Sequence, residues 1–119
     1  MVTASITNVA SVPHRSPFRY PGGKTWLVPD VRKWLSSLST RPLIFCEPFC
    51  GGATVGLSVL FEDLADQLVL TELDEDVASV WETILNGESE ELVRRIGEFK
   101  ISNGSVKEVL TRQCPVSRK

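Results

Sequence analysis

The sequence predicts an α/β fold with one βαβ unit and flanking helices. Three observations predict it. A continuous apolar run, Leu43-Ile44-Phe45-Cys46, passes into Glu47-Pro48-Phe49-Cys50-Gly51-Gly52; a stretch apolar nearly all round, Ala53 to Phe61, follows; and a second run, Gln67 to Thr71, closes in Glu72-Leu73-Asp74. An apolar strand, a tight glycine turn, a helix and a second strand make a βαβ unit, whose pairing is parallel and whose crossover is right-handed.

The elements follow in chain order. Residues 1–16 are mostly small and polar without a period and read as a flexible leader, with His14 solvated in it. Arg19-Tyr20-Pro21-Gly22-Gly23-Lys24 sets a glycine pair between a proline and a lysine, a turn or loop. Leu27, Val31, Trp34, Leu35 and Leu38 recur at helical spacing, predicting a helix over 26–38 with Thr25 as its N-cap and Pro29 in its first turn. After a break at Thr40 to Pro42, residues 43–46 have the pattern of a strand buried on both faces. Ala53 to Phe61 is a helix packed under a sheet, and 67–71 the second strand. Val77, Trp81 and Ile84 mark a helix over 75–86, and Leu92, Val93, Ile96 and Phe99 another over 89–100, with Glu90, Glu91 and Lys100 placed as the macrodipole favours. Asn103-Gly104 is a turn, Ser105 and Glu108 have the form of a capping box, and a helix over 106–112 follows. The division is a leader (1–16), a domain (17–112) and a disordered tail (113–119).

Composition bounds the function classes. The chain has 119 residues, 42% hydrophobic and 24% charged, which is ordinary globular usage for one small domain. Thirteen Lys and Arg against fifteen Asp and Glu give a net charge of −2, against a generic nucleic-acid coat but compatible with a DNA enzyme whose basic surface lies elsewhere. No apolar run approaches the roughly 20 residues of a membrane span, and no secretory signal is visible. Three cysteines, an odd number, suit a reducing cytoplasm, and Cys46 and Cys50 lack a second ligand pair for zinc.

Two places carry candidate chemistry. The first joins Glu47 through Gly52 to Glu72. Ligands of open parallel sheets bind beyond the carboxyl ends of the strands, where glycines admit a ligand to the backbone and an acid ending the second strand accepts from ribose hydroxyls. Glu72 follows Gly51 by 21 positions, the offset of such an acid. Read blandly, the glycines make only a tight turn and Glu72 is a solvated strand end. The G-x-G-x-x-G spacing is missing, so a nucleoside without a pyrophosphate fits more easily than NAD. The second place, Gly22-Gly23-Lys24-Thr25, has the tail of a phosphate-binding loop, but Phe18 stands where its first glycine belongs and no apolar strand leads into it.

Arg19-Tyr20-Pro21-Gly22-Gly23-Lys24, then Glu47-Pro48-Phe49-Cys50-Gly51-Gly52, then Leu70-Thr71-Glu72-Leu73-Asp74 together resemble the N-terminal part of the DNA adenine methylases, from about Phe18 to Phe99. The resemblance implies a partial Rossmann-like methyltransferase fold and methyl transfer from S-adenosylmethionine to the exocyclic amine of adenine in DNA. It places Tyr20 and Lys24 beside the cofactor, Lys24 facing the methionyl carboxylate and the Tyr20 ring the methionyl part. It makes Glu47, Phe49, Gly51 and Gly52 the turn under the cofactor. Glu72 holds the ribose, where the family often has Asp, and Cys50 serves packing.

The family's catalytic signature, Asp/Asn-Pro-Pro-Tyr/Phe, stacks and hydrogen-bonds the flipped adenine. The seven prolines stand at 13, 17, 21, 29, 42, 48 and 115, and no two are adjacent. The expectation is therefore an inactive N-terminal fragment, truncated, frameshifted or half of a split enzyme. Its sheet would have an unpaired apolar edge and invite association. The expected partners are DNA for the parent enzyme and a complementing C-terminal chain, with no membrane and no metal. The alternatives are a non-catalytic remnant that binds S-adenosylmethionine or a partner, and an unrelated nucleotide-binding domain.

Overall fold

In the computed structural model, which describes residues 9–113, strands β1 (Ile44–Pro48) and β2 (Gln67–Thr71) pair in parallel. Ile44 lies against Gln67 and Pro48 against Thr71, so the two carboxyl ends finish side by side. The helix α2 (Thr54–Phe61) crosses between them, and α1 (Val28–Ser36) packs on α2. The described residues thus form a mixed α/β structure on a two-stranded parallel sheet. The sequence expectation that residues 43–46 form a strand buried on both faces does not hold. Exposure alternates: Phe45 and Glu47 of β1 and Leu68 and Leu70 of β2 are covered, while Ile44, Cys46 and Val69 are exposed. Burial of both faces needs helices on both, and the helix packed on these strands, α2, covers one.

The core forms where periodicity puts apolar side chains on one stripe. Val28, Val31 and Leu35 of α1 meet Val55 and Val59 of α2, with Ala65 between the strands' connections and Leu27, Phe45 and Leu64 at the margin. The helix expected over 26–38 divides into a 3₁₀ turn, Thr25–Leu27, and α1. Pro29 sits in the first turn of α1, where its missing N–H costs nothing. Thr25 does not cap α1, whose N-cap residue is Leu27, without a side-chain bond.

The leader departs from expectation over its described part. Val12 is buried in the core at 7% exposure, worth about 1.5 kcal/mol of apolar burial. Arg15 pairs with Glu62 at the end of α2 and lies 5.6 Å over the Phe61 ring. Residues 1–8 of the expected leader lie outside the described residues. Arg32 of α1 grips the same carboxylate with two bonds of 2.6 Å, and that grip holds the Glu62 carboxyl below its usual pKa. Glu62→Ala removes both partners at once. It is expected to lower stability by about 2 kcal/mol, seen as a lower urea midpoint at unchanged slope.

The chain forms two compact units, one ending at Ser79 and one beginning at Val80, with the boundary inside α3 (Glu75–Leu85). The second unit holds α4 (Ser89–Glu98) and α5 (Asn103–Gln113). No residue of α4 is buried, and its polar side is laced by Arg94 to Glu91 and Glu98 and by Arg95 to Glu91. Asn103-Gly104 is no turn but the first two residues of α5. The capping box lies three residues upstream of the predicted one: Ser102 Oγ accepts from the Ser105 N–H at 3.0 Å, and Ser105 Oγ accepts from the Ser102 N–H at 2.9 Å. Serine at both positions satisfies two orphan donors reciprocally, which Ser105 with Glu108 does not do here. Gln113, expected in the tail, closes α5, and residues 114–119 of that tail lie outside the described residues.

Candidate functional site

β1 cannot run straight into α2, because a crossover helix between parallel strands must run back against them; the chain reverses within five residues. It does so with left-handed backbone at Phe49 (φ 53°), Gly51 (φ 50°) and Ala53 (φ 51°). Gly51 takes this conformation freely, whereas Phe49 and Ala53 store strain that surrounding bonds must hold. Ala53, the N-cap of α2, has no side chain able to cap it.

Glu47 supplies the missing cap from β1. Its Oε2 accepts the N–H of Gly56, in the first turn of α2, at 2.6 Å, so a buried carboxylate meets the positive end of the helix. Its Oε1 is buried without a hydrogen bond and has the Lys24 ammonium 3.4 Å away. Lys24 Nζ also donates to the Phe49 carbonyl at 2.6 Å, clamping the strained residue from 25 positions away. Glu47 is 4% exposed and Lys24 29%. Burial pushes the Glu47 carboxyl above its usual pKa, and the Gly56 N–H and Lys24 pull against that rise.

A carboxyl whose folded pKa is raised holds a proton that the unfolded chain has released, so its contribution falls as pH rises through that interval. Glu47→Gln cannot titrate there. Its stability relative to the unsubstituted chain is therefore expected to climb as pH rises from the ordinary carboxylate range past the raised value, then to level. Urea melts at a series of pH values check this.

The second strand closes the site. The Cys50 N–H donates to the Thr71 carbonyl at 3.0 Å, and the Gly51 N–H to Glu72 Oε2 at 2.7 Å. Glu72 Oε1 accepts from the N–H groups of Leu73, at 2.8 Å, and Asp74, at 3.1 Å. The Asp74 and Gly51 N–H groups lead these bonds in holding the Glu72 carboxyl below its usual pKa. Asp74 in turn caps α3 through bonds from Asp76 and Val77. Cys50 is buried, and burial first, then the Glu72 and Glu47 carboxylates, push its thiol up, which keeps it protonated and unreactive.

Above this junction lies a cleft of about 540 Å³ lined by Tyr20, Gly22, Lys24, Phe49, Glu72, Leu73 and Asp74. A recess of about 600 Å³ shares its first four residues and extends over Gly51 and Gly52 to Ser16, Phe18 and Thr54. The structure brings Tyr20, Lys24, Phe49 and Glu72 to one cleft, puts Gly51 and Gly52 in the adjoining recess, and keeps Glu47 buried outside both linings. A Cβ on Gly51 would come within 2.6 Å of the Tyr20 ring, and one on Gly52 within 2.6 Å of Ser16 Oγ. Residues 16–20 therefore lie directly on the glycine turn. Sequence reasoning left out Leu73, which stands 82% exposed at the cleft wall. Its signal was an apolar residue between two carboxylates at a strand end.

Fold and site define an α/β protein with a cleft at the carboxyl ends of parallel strands, the place where such sheets take nucleotides and cofactors. The model of the D12 class N6 adenine-specific DNA methyltransferase family matches residues 20–112, and the chain belongs to that family. No curated protein and no solved structure matches it. Among the described residues, no helix is long and apolar enough to cross a membrane, and no group of three His, Cys, Asp or Glu could hold a metal ion.

Proposed function

We propose that this chain is the S-adenosylmethionine-binding part of an adenine-N6 DNA methyltransferase, with a partial Rossmann-like fold. One observation carries the reading: the glycine turn and the second strand's acid meet at the Gly51–Glu72 bond of 2.7 Å, which joins a recess over Gly51 to a cleft of ligand size lined by Glu72.

The residues present fit the chemistry of that cofactor. A side chain at Gly51 would collide with the Tyr20 ring, so the glycine lets that ring pack on the turn at the edge of the cleft. Lys24 has three ammonium donors, spends one on Phe49, faces Glu47, and keeps one for the methionyl carboxylate. Phe49, 71% exposed, and Leu73 offer apolar surface to an adenine ring. The Tyr20 ring edges the cleft for the methionyl part. Glu72 accepts from the ribose. When bound, S-adenosylmethionine supplies an activated methyl group on a sulfonium centre.

We read the chain alone as catalytically silent, since its 119 residues contain no adjacent prolines and hence no Asp/Asn-Pro-Pro-Tyr/Phe signature. Among the described residues each strand has an outer edge with no strand beside it, and Ile44 and Val69 are exposed on the open face. These surfaces suit further strands that would extend the sheet.

Calorimetric titration tests the reading. S-adenosylmethionine is expected to bind, with ATP and NAD much weaker. Glu72→Ala is expected to reduce affinity about 10- to 100-fold, the loss of a charge-assisted hydrogen bond. Unchanged affinity would remove Glu72 from the site. A radiolabelled transfer assay on DNA is expected to show no methylation by the chain alone.

A further inference from the structure

We infer that Glu72 accepts one ribose hydroxyl and not two, so that the site discriminates sharply at one of the two hydroxyl positions and tolerates its loss at the other. This rests on the proposed nucleoside site and adds a specificity to it. A carboxylate offers about four in-plane acceptor positions, two on each oxygen. Here Oε1 accepts from both Leu73 and Asp74, and Oε2 accepts from Gly51. Three positions are taken by the protein's own backbone, and one remains on Oε2.

Those three bonds are built into the fold. The Leu73 and Asp74 bonds form the turn that leads into the α3 cap. The Gly51 bond ties the buried, left-handed glycine of one strand's turn to the end of the other. The tie depends on side-chain length, because glutamate reaches one methylene further than aspartate. A shorter acid keeping the Leu73 and Asp74 bonds would fall short of the Gly51 amide and leave its second oxygen to the ligand. With glutamate, a ribose diol meets a single acceptor position, and its second hydroxyl must bond water or another group.

Titration calorimetry of the full chain with adenosine, 2′-deoxyadenosine and 3′-deoxyadenosine reads this directly. One deoxynucleoside is expected to bind within about threefold of adenosine and the other at least about tenfold more weakly, since only one lost hydroxyl leaves a charged acceptor unpaired. If both weaken tenfold, or neither does, the single-acceptor assignment is overturned while the nucleoside site stands. If adenosine itself does not bind, the proposed site falls and this inference with it. Glu72→Asp is expected to make the two deoxynucleosides lose affinity alike. Retention of the original asymmetry in that variant would also overturn the assignment.

Discussion

Lys24→Met is expected to destabilise the chain by about 3 kcal/mol at neutral pH. The substitution keeps the length and apolar stem of the side chain, so the loss is electrostatic. Two contacts disappear together: the bond to the Phe49 carbonyl and the positive charge facing Glu47 Oε1. Glu47 is then a buried carboxylate with only the Gly56 N–H for compensation. Removing one partner of a buried pair usually costs more than the pair ever contributed, because the remaining charge cannot find water. The partial exposure of Lys24 and its 3.4 Å spacing keep the figure at the low end of that range. The double variant Lys24→Met/Glu47→Gln is expected to recover about half the loss, since a neutral amide still accepts from Gly56 and needs no counter-charge. What it does not recover is the clamp on Phe49. Urea denaturation of the four combinations closes the cycle; purely additive effects would refute the coupling. The single variant should also lose less at acid pH, where Glu47 can take up a proton.

Gly56→Ala is expected to destabilise by about 2 kcal/mol, although alanine is the better helix former by about 1 kcal/mol. A Cβ at this position would lie 2.6 Å from Leu68 Cδ1 and 2.7 Å from Glu47 Oε2. Both distances are far below van der Waals contact. Leu68 belongs to the face of β2 on which α2 rests, so relief means pushing helix from sheet or turning the leucine out of its rotamer. The second clash displaces the carboxylate that caps α2, weakening the bond that substitutes for an N-cap side chain. A thermal melt should show a midpoint lower by roughly 10 °C for a domain of this size. A rise in the midpoint would mean that propensity outweighs packing here, and that the α2–β2 contact is looser than its distances say.

The case of Gly56 marks where sequence reading stops. In the chain, this glycine is one small residue inside an apolar stretch, and nothing nearby in sequence names Leu68 or Glu47 as its neighbours. The same holds for Lys24, whose partners are 23 and 25 positions away, and whose sequence context reads as an ordinary lysine opening a helix. Val12 and Arg15 sit in a stretch too polar and irregular to predict burial, yet they join the core and the Glu62 cluster. Ser102 and Ser105 had a readable capping pattern, missed because the glycine after Asn103 reads more strongly as a turn.

By contrast, the element order and the parallel β1–β2 pair were legible, because period and local chemistry carry them: an apolar run, a glycine pair, an apolar helix and a second run permit few topologies. The association of the glycine turn with position 72 was legible for the same reason, since parallel strands joined by one crossover must finish at the same end. Sequence determined the order of the strands and helices and which residues stand at the strand ends. Tertiary structure alone decided which face of the sheet is covered, that Glu47 is a buried cap and not a wall of the cleft, that Lys24 holds Phe49, and how many acceptor positions Glu72 keeps. The physical reason is range: periodicity and turn chemistry act over a few residues, whereas burial, charge pairing and lone-pair occupancy are settled by atoms that meet only after the chain has folded.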